Sequence, residues 1–130
     1  MKADRRTRKQ KTGELGESIA ERFLIQKGYK ILAKNYRKPW GEIDIIAEKG
    51  TSVRFIEVKT ITHRTYLFLH DPEEMVDRRK LIKVARTAAL YMEHKRDRRE
   101  FQIDVVGVIL DDSKQTATCR LIEQALESNF

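Results

Sequence analysis

Two carboxylates and a lysine, set in neighbouring apolar segments, are the residues best suited to chemistry in this chain. Asp44 lies within the run 42–48 (EIDIIAE), and Glu57 and Lys59 lie within 53–59 (VRFIEVK). Both runs read as strands, joined by a short turn around Lys49-Gly50. Side chains alternate along a strand, so Glu42, Asp44 and Ile46 are expected on one face and Ile43, Ile45 and Ala47 on the other. Phe55, Glu57 and Lys59 likewise share a face. A hairpin closed over Lys49 to Ser52 pairs Glu48 with Val53. It then sets Ile46 opposite Phe55, Asp44 opposite Glu57 and Glu42 opposite Lys59, with all six on one side. Two carboxylates about 5 Å apart repel by roughly 1–3 kcal/mol, depending on the local dielectric. Such a pair calls for a cation or a shared proton. Lys59 supplies one positive charge, and a divalent ion would supply the rest. Hard oxygen donors without clustered sulfur or imidazole point to Mg²⁺ or Mn²⁺. A Glu-x-Lys pair in a strand also occurs as a plain surface ion pair.

The elements that must position these residues follow from hydrophobic periodicity. Leu15, Ile19, Ala20, Phe23 and Leu24 form one stripe of a helix over 13–28, which Gly28 ends. Residues 29–36 read as a strand, and 37–41, with Pro39, as a loop. Residues 60–72 look irregular. A long helix over 73–95 follows, with Leu81, Ala85, Ala88, Ala89 and Met92 in its stripe. A strand over 101–110 and an edge strand over 116–122 complete the order α-β-β-β-α-β-β. Both faces of strands 42–48 and 53–59 carry apolar residues, so both sides of the sheet need cover. The expectation is an α/β sandwich, a mixed sheet flanked by two helices.

The 130 residues suffice for one domain with a real core. No long neutral apolar run suggests a membrane span, and the basic N-terminus lacks the apolar stretch of a secretory signal. A lone cysteine, Cys119, excludes an internal disulfide framework and fits a reducing cytoplasm. His63, His70 and His94 are scattered rather than spaced for zinc. Residues 1–12 hold Lys2, Arg5, Arg6, Arg8, Lys9 and Lys11 against Asp4 alone, a net of +5. Only +2 of the total +7 therefore belongs to residues 13–130. The expectation is a basic flexible arm over 1–12, suited to phosphates or simply solvated, ahead of a single domain over 13–130.

Gly41-Glu-Ile-Asp-Ile-Ile-Ala47 followed by Phe55-Ile-Glu-Val-Lys-Thr60 resembles the PD-(D/E)XK signature of restriction-endonuclease-like nucleases. The closer resemblance is to the YraN-like bacterial family, which is itself similar to archaeal Holliday junction resolvases. Gly13-Glu-Leu-Gly-Glu-Ser-Ile-Ala20, Gly28-Tyr29, Asn35-Tyr36, Val76-Asp-Arg-Arg-Lys80 and Ile103-Asp-Val-Val106 all fit that family. The resemblance implies a restriction-endonuclease-like fold with Asp44, Glu57 and Glu17 as metal ligands, joined by a backbone carbonyl near Val58. It implies Lys59 beside the scissile phosphate and Glu42 as a further ligand or as an ion-pair partner of Lys59. It also implies dimers, for which the apolar segment Tyr66 to Leu69 is a candidate interface. Two departures stand out: Ile43 replaces the motif's proline, and Ile61 follows Thr60 where the family usually has arginine.

The function expected is metal-dependent hydrolysis of phosphodiester bonds in nucleic acid, branched DNA among the candidates. Arg79, Lys83 and Arg86 recur on one helix face and could contact phosphates, and Trp40 could stack on a base. The alternatives are a non-catalytic nucleic-acid-binding module and an adaptor domain whose charged cluster is an ion-pair network. Metal binding and salt-sensitive DNA binding separate the three.

Overall fold

A computed structural model describes residues 3–69 and 72–126, so Lys2 of the basic arm and His70 lie outside the described residues. The first helix, α1 (Arg8–Gln26), starts one and a half turns before the expected boundary. Its start is a capping box: the Thr7 hydroxyl accepts from Gln10 N–H at 3.1 Å, and the Gln10 side chain accepts from Thr7 N–H at 2.8 Å. The expected arm over 1–12 is thus helical from Arg8 onward, and basic composition had masked the cap.

Strands β1 (Lys30–Lys38), β2 (Gly41–Lys49) and β3 (Ser52–Thr62) form an antiparallel meander. The stretch expected to be irregular instead prolongs β3 to Thr62 and continues as the one-turn helix α2 (His63–Tyr66). A 3₁₀ turn occupies Pro72–Met75, and α3 (Arg78–His94) follows. The Asp77 side chain accepts from Lys80 N–H, which fixes the start of α3 five residues after the expected one. β4 (Phe101–Asp111) returns parallel to β3, and β5 (Thr116–Ile122) closes the edge antiparallel to β4, over the residues expected. The product is a five-stranded mixed sheet in the order β1-β2-β3-β4-β5.

The sheet is covered on both sides, as the apolar pattern of its central strands requires. On one face Ile43, Ile46, Phe55 and Val105 pack against Leu81, Val84 and Met92 of α3. On the other, Ile45, Ile56, Val106 and Val108 pack against Ala20 and Leu24 of α1. Two glycines permit the close approach. Gly16 of α1 lies on Thr60, and Gly41 of β2 lies on Thr87 of α3. At Gly16 an added Cβ would overlap Thr60 Oγ1 and come within 3.0 Å of both Thr60 Cβ and Cγ2, so rotating the threonine gives no escape. Gly16→Ala should therefore lower stability by about 1–2 kcal/mol, even after alanine's gain in helix propensity. Urea unfolding checks this, and adding Thr60→Ala should recover part of the loss.

The buried carboxylate of Asp104 lies outside this framework of apolar contacts. It accepts from Gln102 Nε2 at 2.8 Å and from Gln124 N–H at 2.9 Å, and Arg54 stands 3.5 Å away. Burial raises its pKa. These bonds pin the turn after β5 to the sheet, where Ala125 N–H also reaches the Ile103 carbonyl. Among the described residues no helix is long and apolar enough to cross a membrane.

Candidate functional site

The β2–β3 ladder has the expected register, with Glu48 opposite Val53 and Ile46 opposite Phe55, but its pairs end at Ile45 and Ile56. Beyond that point the expectation of strict alternation fails. Ile43 shares a core with Ile46, while Ile45 and Ala47 lie in the opposite core. β1 breaks step at the same level: Ala33 and Tyr36 face the α3 side, whereas Lys34 turns toward α1 and pairs with Glu21 at 2.9 Å. Between them Asn35 takes a left-handed conformation, with φ +51°. Asparagine is among the non-glycine residues that tolerate this best. The coupled break turns Asp44 out of the pleat. Its Oδ2 accepts from the Val58 backbone N–H at 2.8 Å, satisfying a donor that the splayed ladder leaves without a strand partner. In an extended strand the carbonyl of a residue points to the same side as its N–H, so the Val58 carbonyl also faces this opening.

Glu57 comes from β3 and is only 7% exposed. Burial, and secondarily repulsion by Asp44, push its pKa up to about 7. Glu17 approaches from α1, half-buried; burial and Asp44 raise its pKa, and the Asn35 side chain opposes the rise. Three carboxylates from three elements thus interact across one open cleft of about 640 Å³. Val58 and Glu42 line the same cleft, and Arg6 and Lys9, from the early turns around the start of α1, reach its rim. Among the described residues no three acidic, imidazole or thiol groups are already drawn to one point at ligation distance. Asp44 is engaged by Val58 N–H, and Glu57 by a lysine.

That lysine is Lys80, on the first turn of α3, with Nζ 2.7 Å from Glu57 Oε1. The sequence reading placed Lys80 in a motif but gave it no role. Its approach to Glu57 depends on how α3 crosses the sheet. Lys59, the expected partner, is exposed, does not line the cleft and makes no ion pair among the described residues. Nor does Glu42 pair with Lys59: its partner is Arg37, at 4.0 Å. The expected pairing fails because the strands have diverged by that level. Lys83, Arg86 and Trp40 line a second cleft that shares Arg37 and Glu42 with the first. Arg79 is exposed and lines neither. Leu67 and Phe68, in the segment expected as an interface, are strongly exposed. In the basic turn after α3, Arg99 is tied to Asp97 and Glu48, at 2.8 and 2.5 Å.

The fold and site define a three-layered α/β domain in which a break in one central strand gathers three carboxylates at the splayed end of the sheet. The chain belongs to the uncharacterised protein family UPF0102, whose profile matches residues 16–108. The YraN-like resemblance holds at this level. A UPF0102 protein of Moorella thermoacetica is 39% identical over 118 residues, covering 90% of this chain and 96% of the relative. One from Dictyoglomus thermophilum is 41% identical, covering 78% and 84% respectively. One from Clostridium tetani is 38% identical, covering 88% and 93%.

Proposed function

We propose that this chain is a metal-dependent nuclease that hydrolyses phosphodiester bonds in nucleic acid. Asp44, Glu57 and Glu17 would hold Mg²⁺ or Mn²⁺, with the Val58 carbonyl as a further oxygen donor. The observation that carries this reading is that Asp44, Glu57 and Glu17 line one cleft, with Glu57 buried there and its pKa lifted to about 7 by burial and by Asp44. Such a cluster stores repulsion that a divalent cation relieves. The donor set is all oxygen, which suits a hard ion. When bound, that ion supplies Lewis acidity toward the phosphate and lowers the pKa of bound water.

The chain's own groups have separate tasks. Asp44 is oriented by Val58 N–H, so its second oxygen is free to face the cleft. Lys80 stands at Glu57 and takes the task first assigned to Lys59, opposing the negative charge that develops on the phosphoryl group. Arg37, Lys83 and Arg86 offer positive charge to backbone phosphates just beyond. No serine nucleophile or histidine base is needed.

The test is cleavage of a labelled panel: four-way junction, duplex, single-stranded DNA and RNA, with Mg²⁺ or Mn²⁺ and with EDTA. Cutting is expected with metal only, and Asp44→Asn should reduce it by about 10²–10³-fold. Absence of cutting on every substrate, with nucleic-acid binding retained in Asp44→Asn, would replace the nuclease with a binding module.

A further inference from the structure

Three clefts with shared walls lie along α3. The carboxylate cleft joins the second through Arg37 and Glu42, and the second joins a third through Lys38 and Trp40. One helix face accompanies them. Lys80 lies in the first cleft, Lys83 and Arg86 in the second, and Leu90 and His94 in the third. These positions recur at three- and four-residue spacing, so they form a continuous stripe about 21 Å long. The opposite wall is the turn between β1 and β2, with Trp40 at its tip.

Trp40 is 58% exposed and lines the second cleft with Arg37 and Lys38 of β1, Glu42 of β2 and Lys83 and Arg86 of α3. An aromatic that a core needs is buried, and this one is left in solvent among cations. In a duplex the base faces are covered by their neighbours and only the edges are accessible. An exposed ring with flanking cations instead fits an unpaired strand, whose bases stack on aromatics while its phosphates meet the basic groups. The stripe length matches the shortest single-strand sites, about four nucleotides.

We infer that this track binds an unpaired nucleic-acid strand, with a base stacked on Trp40, and leads it to the carboxylate cleft. The inference rests on the nucleic-acid reading above and names its substrate class: a strand single on one side of the reacting phosphate.

Trp40 is the chain's only tryptophan, so its emission reports the contact directly. The full chain is titrated in EDTA with oligothymidylate and oligouridylate of about twelve nucleotides, and with a duplex of equal length. Either single strand should quench the emission, with affinity falling as salt rises, and the duplex should leave it unchanged. The deoxy and ribo arms decide which backbone is preferred. By anisotropy, Trp40→Ala should weaken single-strand binding about tenfold, and Trp40→Phe should restore most of it. Removing both Lys83 and Arg86 should flatten the salt dependence by about two phosphate contacts. Equal affinity for duplex and single strand without quenching would overturn the inference, as would unchanged binding in a folded Trp40→Ala. Because EDTA removes cleavage, the two readings fail separately. Metal-dependent cutting of duplexes without quenching by single strands would sink the track and leave the nuclease. Quenching without any cutting would leave the track alone.

Discussion

Glu57→Gln should sharply reduce cleavage and at the same time make the metal-free protein more stable at pH 8. Glu57 is almost fully buried beside Asp44, and its pKa stands at about 7 against an ordinary 4.5. The folded protein therefore keeps a proton on this carboxyl through a range in which the unfolded chain has lost it. Stability falls wherever the native state binds more protons as pH rises. The contribution is fully favourable below about 4.5 and is lost by the time pH passes about 7. A shift of this size corresponds to about 3 kcal/mol. Glutamine keeps the shape without the charge, so the variant should lack this loss. Urea unfolding of wild type and Glu57→Gln at several pH values reads the difference made by Glu57 together with its coupling to Asp44 and Lys80. Converging stabilities at low pH and a variant advantage at pH 8 are expected, with cleavage down about 10³-fold. Parallel pH curves would show that Glu57 carries no stored repulsion and would remove the main support for a cation site.

Much of the architecture was legible because burial leaves a periodic trace. The two-sided apolar strands required two covering helices, and the hairpin closure over Lys49 to Ser52 correctly paired Ile46 with Phe55. The break at Asp44 was not legible in that pattern. Ile43, Ile45 and Ile46 are all apolar, so a change of face among them leaves the hydrophobic sequence looking regular. The one local hint was Asn35, a residue suited to positive φ, directly across from the break. The start of α1 was readable in principle from Thr7 and Gln10, but a run of six cations over 1–12 suggested an arm instead. Glu17 reached the site only through the family resemblance, since its helix position alone also fits a solvent-facing glutamate. Lys80 had a place in the family motif but no local signal of its role. Its nearness to Glu57 spans 23 positions of chain and follows from where Asp77 caps α3 and where Leu81 and Val84 seat it on the sheet.

That tertiary placement makes a comparison of the two lysines the sharper test of the site. Lys80→Ala should reduce cleavage by about 10²-fold or more, and Lys59→Ala should reduce it less. The physical argument is proximity: Lys80 Nζ is 2.7 Å from Glu57, whereas Lys59 points to solvent and has no ion-pair partner among the described residues. A second readout separates charge placement from mere folding. The Lys80 ammonium favours ionised Glu57 and opposes the upward push of burial and Asp44. Without it the Glu57 pKa rises further, so the metal-free variant should lose stability relative to wild type above pH 7 and match it near pH 4. Lys59→Ala should track wild type at every pH. Half of the Lys80 side chain is in solvent, so the stability change will be small beside that of Glu57→Gln. Lys80→Arg should restore the pH curve by keeping the charge, while recovering cleavage only in part, because a planar guanidinium cannot take the place of a compact ammonium at one oxygen. Should Lys59→Ala instead cost the greater share of turnover while Lys80→Ala shifts only the pH curve, the two lysines divide the work. Lys80 would then balance the buried carboxylate, and Lys59 would meet the phosphate.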